Sequence, residues 1–245
     1  MNETPSAFDL EPRQAHLHPH AVPWQHALAW YEDAMRLFKR SPATWVGLAI
    51  MTVVTEVALK SVPRVGTLLS QLVTPLVACG LVYAAAAVDG GSAPSFRHAI
   101  LAFRAPPYAI AAIIASALVA FVAEAFAAWW IADVNLFDTG ATSIELSSAA
   151  ITGILAIGIL ASLPVMFVVF HALFEQVRPA AAFTASWNAF VLNTLPLLVY
   201  SAASMVLLGF GLATFGLGLA LALPLWAASS YAAWKDIFGI RDAPA

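Results

Sequence analysis

Residues 195–230 read LPLLVYSAASMVLLGFGLATFGLGLALALPLWAASS, 36 residues without one Asp, Glu, Lys or Arg. As a single helix this run would extend about 50 Å, well past a hydrocarbon core of about 30 Å. Gly209, Gly211 and Gly216 cluster near its middle, where a turn is needed. The run therefore reads as a tight hairpin of two membrane-spanning helices, about 195–211 and 213–234. A bilayer offers no water to a backbone amide, so helices that pair their own N–H and C=O groups are the structures such a segment can adopt there.

The rest of the chain follows suit. Between Ala43 and Trp234 there are only twelve Asp, Glu, Lys or Arg residues, nearly all between apolar runs. The whole chain is 61% hydrophobic and 10% charged, where a soluble domain carries about 25% charged residues. Four further spans are predicted, at about 43–59, 67–88, 107–131 and 149–174. The third ends in Trp129 and Trp130, residues suited to the aromatic belt of a membrane interface. Residues 1–23 read as a disordered cytoplasmic tail, 24–240 as one transmembrane domain, and 241–245 as a short cytoplasmic tail. The acidic, proline-bearing start does not read as a secretory signal. Cys79 is the only cysteine, so no intramolecular disulfide and no cysteine-based zinc site is expected.

Orientation follows from the basic residues. Arg13, Arg36, Lys39, Arg40, Arg97, Arg104, Arg178, Lys235 and Arg241 fall on one side of the predicted spans, and Lys60 and Arg64 on the other. The long loop 132–148 on that second side holds Asp133, Asp138 and Glu145 and no basic residue. The positive-inside rule then places both termini in the cytoplasm.

Three segments share one layout. Tyr31, Met35 and Phe38 precede Pro42; Phe96, Ile100 and Phe103 precede Pro106 and Pro107; Phe183, Trp187 and Phe190 precede Pro196. Spacings of four then three put each trio on one helix face. Trp24 and Leu28 extend the first stripe backwards. The predicted fold is an all-α, polytopic transmembrane helix bundle: about six spans as three hairpins, each preceded by an amphipathic interfacial helix. Arg36, Lys39, Arg40, Arg97 and Arg104 are the candidate interfacial lipid contacts. The second span of each hairpin carries a proline (Pro75, Pro164, Pro224) and, about a dozen residues on, an acid (Asp89, Glu175, Asp236).

Ionisable groups inside spans are the default functional candidates. Glu56 lies four residues before Lys60, and Glu124 lies in the outer third of the third span. The three form a candidate intramembrane polar cluster that could bind a cation, relay protons or lock helices; a local ion pair is the plainer reading. His171 and Glu175 share a helix face, either as two ligands or as a hydrogen-bonding pair. His16, His18 and His20 alternate in the tail, and Asp133, Asn135 and Asp138 only loosely match a calcium loop. Gly153, Gly158 and Ser162 give the fourth span a small-residue surface. No catalytic or metal residue is assigned and no cofactor is expected. HExxH, GxSxG, GxxxxGK and dinucleotide-binding motifs are all missing, and the basic residues are too few for a nucleic-acid surface.

The stretches AMRLFKRSPATWVGL (34–48), AVDGGSAPSF (87–96), SWNAFVLNTLPLLVY (186–200) and LPLWAASSYAAWKDIFG (223–239) resemble a family of uncharacterised proteobacterial six-span membrane proteins. More distantly they resemble the membrane domain of glycerophosphodiester phosphodiesterases. The resemblance covers about 24–239 and implies a multi-pass protein of the bacterial inner membrane, without the phosphodiesterase barrel. The expected function is a non-enzymatic envelope component that organises lipids or acts as a scaffold. The lipid bilayer is its partner, with a second copy or other membrane proteins as further candidates and no nucleic acid. The alternative is a small transporter or channel for an ion or lipid-like substrate.

Overall fold

The computed structural model describes residues 16–136 and 147–241, and every regular element in them is helical. The predicted disorder of residues 1–15, the acids Asp138 and Glu145, and the end of the C-terminal tail lie outside the described residues. The chain passes from α1 (His26–Lys39) into α2 (Pro42–Lys60) and α3 (Gly66–Asp89), then through a 3-10 helix (Phe96–Arg104) into α4 (Pro107–Ala132). After α5 (Ser148–Ser162) come a 3-10 turn (Leu163–Val165), the single turn α6 (Val168–Phe170) and a π turn (His171–Glu175). Helices α7 (Pro179–Leu192), α8 (Thr194–Ala213) and α9 (Leu219–Ile237) complete the fold. Proline occupies the first turn of α2, α4 and α7, where its missing N–H costs nothing.

Five helical runs are long and apolar enough to cross a membrane: α2, α3, α4, Ser148–Val165 and α8. Two predicted spans need correction. The run expected over 149–174 is not one helix. Pro164 has no N–H to donate and interrupts it, and Ser186 of α7 repairs the break. Ser186 Oγ donates to the Pro164 carbonyl at 2.8 Å and accepts from the Phe167 N–H at 3.2 Å. The last hairpin turns later than expected, over residues 214–218, where Phe215 and Gly216 take positive φ. Its second helix, α9, is less apolar than the five. The reason is placement: α9 packs on α1, α2, α3 and α8, and most of its inward half, including Ser229, Tyr231 and Trp234, is buried. A helix shielded from lipid by its neighbours does not need an apolar surface all round.

The three amphipathic segments are present, with differences. The middle one is a 3-10 helix, whose threefold repeat brings Ala99 and Ala102 onto one line. Small residues make up the packed face of the 3-10 helix and of α7, and share that of α1 with Trp30 and Leu37. Ala27 and Ala34 flank Trp30 and Leu37 in α1; Ala99 and Ala102 serve the 3-10 helix; Ala182, Ala185 and Ala189 serve α7. The large side chains sit on the open flank: Trp24, Leu28, Met35, Phe96, Ile100, Phe103 and Trp187 are exposed, and Tyr31, Phe38, Phe183 and Phe190 are half-buried.

The disordered tail expected over 1–23 also needs correction. Residues 16–23 form an extended strap across one end of the bundle. The His20 N–H donates to the Ile237 carbonyl at 2.9 Å and the Val22 N–H to Asn193 Oδ1 at 2.8 Å, while Asn193 Nδ2 donates to the His20 carbonyl at 3.0 Å. Leu17 and Val22 pack against the core. The strap is short and polar, but its backbone has partners, and that holds it in place.

Candidate functional site: a cavity with one carboxylate

A cavity of about 360 Å³ lies inside the bundle. It touches α3 from Gln71 to Val82 and α4 from Ile113 to Glu124, and it is bordered by Ser162, Phe170, Tyr200, Trp226 and Ser230 from the other elements. Its walls are mainly aliphatic and aromatic. Helices α3 and α4 run in opposite directions, so Gln71 and Glu124 share one end and Val82 and Ile113 share the other. The second end is the one nearer the strap, where Tyr200 stacks on Tyr31 with ring centroids 5.4 Å apart.

Among the described residues Glu124 is the only ionisable carboxylate on the lining. Its side chain passes over Gly158 of α5, where a methyl group would overlap the carboxylate. The notch admits the glutamate between two closely packed helices. Among the described residues the carboxylate accepts no hydrogen bond, although it lies within electrostatic reach of Lys60 and Glu56. Those two residues pair with each other, Lys60 Nζ to Glu56 Oε1 at 2.5 Å, and both stand off the cavity. The predicted trio is therefore one ion pair and one separate carboxylate, set near one another. Gln71 was missed from the sequence, although an amide inside an apolar run carries the same kind of signal as a charge. Tyr200 and Ser230 offered no such signal.

At the strap end, the three acids of the internal pattern each receive partners. Asp89 accepts from Lys235 Nζ at 2.5 Å and from the Tyr231 hydroxyl at 2.9 Å. Asp236 meets His26 Nδ1 at 2.7 Å and accepts from Trp30 Nε1 at 2.9 Å. Glu175 meets His171 Nδ1 at 2.5 Å and accepts from the His16 N–H at 2.7 Å. Burial alone would raise the Glu175 pKa, but the hydrogen bonds and charge of His171, with the bonds from His16, outweigh it and hold the carboxyl below its ordinary value. His171 is fully buried with Nε2 unpaired, edge-on to Phe238 at a centroid distance of 4.5 Å. Among the described residues no group of three or more His, Cys, Asp or Glu side chains could hold a metal ion.

The interfacial basic residues are less uniform than their sequence pattern. Arg36 pairs with Asp33 at 2.5 Å and Arg40 Nη1 donates to the Val88 carbonyl at 2.9 Å. Lys39, Arg97 and Arg104 are exposed.

No protein-family model matches the chain, and neither curated proteins nor solved structures give a match. The family resemblance of the layout stretches finds no counterpart there.

Proposed function

We propose that the protein is a non-enzymatic integral component of a bacterial inner membrane that organises lipids of the cytoplasmic leaflet. One observation carries this reading: apart from Trp30 and Leu37 of α1, the three amphipathic segments bury small residues and leave seven large apolar side chains on the open flank. In water that arrangement would be wasteful, because seven exposed aromatic or long aliphatic side chains would stay hydrated. At a leaflet boundary the same side chains sink among acyl chains while Lys39, Arg97 and Arg104 meet phosphates. The strap end is then the cytoplasmic end. Helix α9 makes the sixth crossing, since Leu219 touches Gly211 at one end of it and Lys235 meets Asp89 at the other.

Lipid analysis of the protein purified in native nanodiscs tests this. Enrichment of anionic lipid over the surrounding membrane is expected, and it should fall in the combined Lys39→Gln, Arg97→Gln, Arg104→Gln variant. Equal lipid composition around both proteins would count against it.

The cavity favours a second reading, a small transporter for an ion or lipid-like substrate. Glu124 alone, not Glu56, then stands on the path. Flux into liposomes that is lost in Glu124→Gln would support transport, and absence of flux in the native protein would dismiss it.

A further inference from the structure

We propose that the cavity is a binding site for a single-chain amphiphile with a cationic head: one acyl or alkyl chain in the slot and an ammonium group against Glu124. The inference rests on the cavity alone and requires neither transport nor the interfacial role.

Shape comes first. The lining runs from Gln71 to Val82 along α3 and from Ile113 to Glu124 along α4, about 16 Å at the rise of a helix. A volume of about 360 Å³ spread over that length leaves a narrow slot with room for one extended chain. It also lies within the range of about 300–1,000 Å³ usual for small-molecule sites. Ala78, Ala117, Ala120, Leu223 and Met166 line it with the surface an alkyl chain prefers.

Charge decides the head. Glu56 and Glu124 are two carboxylates, and Lys60 is one ammonium already paired to Glu56 at 2.5 Å. Lys60 is therefore committed to Glu56, and the Glu124 carboxyl stands at the end of the slot with no cation paired to it among the described residues. Because no described residue donates a hydrogen bond to that carboxyl, an incoming ammonium N–H would be its first such partner, and charge-assisted bonds are among the stronger ones. A carboxylate head would bring that carboxyl no cation to pair with. The far end, bordered by Phe170 and Tyr200, offers a chain terminus an aromatic floor.

Photo-crosslinking in lipid nanodiscs tests the assignment. The probes are dodecylamine and dodecanoate, each carrying a diazirine in the chain, with labelled peptides mapped by mass spectrometry. The amine should label Ala117, Ala120, Met166 or Leu223, saturate with dose, and exceed dodecanoate labelling of the same residues by about tenfold. Glu124→Gln should bring the two probes level. Ala120→Leu, which fills the slot and keeps Glu124, should remove inside labelling by both, with the thermal transition reporting that the fold persists. Equal labelling by both probes in the native protein, or an amine preference untouched by Glu124→Gln, would overturn the proposal. So would labelling confined to outward residues such as Val119 and Val122.

Discussion

Asn193 is buried to 1% exposure at the junction of α7 and α8, and its amide is spent on backbone groups. Oδ1 accepts from the Val22 N–H, and Nδ2 donates to the carbonyls of His20 and Ala189. Asn193→Ala would leave those groups to find water, at a cost of about 1–3 kcal/mol. The expected outcome is hydrogen exchange of the Val22 amide at least tenfold faster than in the native protein; unchanged exchange would show that Leu17 and Val22 packing holds the strap by itself. Glu175 sets a second condition on the same segment. Its folded pKa is depressed, so its contribution is complete above the unfolded value, about 4.3, and is lost as pH falls through the folded one. A spin label on His18→Cys should therefore gain mobility in acid below that range. Glu175→Gln should be mobile at neutral pH as well, with little further change on acidification.

At the level of elements, close approach governs two contacts. A methyl at Gly80 would sit 2.7 Å from Ala99 Cα, in the backbone of the 3-10 helix, and one at Gly158 would strike Glu124. Backbone cannot swing aside, whereas the glutamate can rotate. Gly80→Ala is therefore expected to lower stability in detergent by about 1–3 kcal/mol, and Gly158→Ala by less. A larger loss at Gly158 would mean that Glu124 has nowhere else to go. The 3-10 helix should also feel pH. His98 accepts at Nδ1 from the Ser95 N–H, and burial lowers its pKa, which keeps the ring neutral. The unfolded ring binds its proton more readily, so this support is full above about pH 6.5 and is lost as pH drops through the lower folded value. Amides at the start of the segment should be less protected at pH 5 than at pH 7, once the pH dependence of intrinsic exchange is divided out. Much of this layer was legible. Apolar run length marked α2, α3, α4 and α8 because lipid enforces it, and the spacing of large residues marked α1 and α7. The break at Pro164 was visible as a proline but not as a halt, because its repair comes from Ser186, a tertiary partner. His171, four residues from Glu175, was legible as its partner, but the partners of Asp89 and Asp236, and the His16 that also reaches Glu175, lie 142 to 210 residues away along the chain, beyond any local pattern.

Across the whole molecule the two described chain ends meet on one face, since His16 reaches Glu175 while His20 reaches Ile237. Phe215, 99% exposed at the α8–α9 turn, marks the opposite face. Cys79 is buried, so a membrane-impermeant maleimide should leave the native chain unmodified. Phe215→Cys should label only from the periplasmic side of intact cells, and Ala180→Cys only after the cytoplasmic face is opened. Labelling of both from one side would remove α9 as a crossing.

The grip of α1 on α9 has a consequence for biosynthesis. Trp30 and His26 find Asp236, 206 and 210 residues further along the chain, and Ala27, Trp30, Ala34 and Leu37 are buried, with α9 as a main packing partner. This amphipathic piece must wait at the membrane surface until α9 has been made. A nascent chain stopped before residue 219 would leave that piece orphaned, and its bare tryptophan face would give quality-control proteases a handle on the unfinished product.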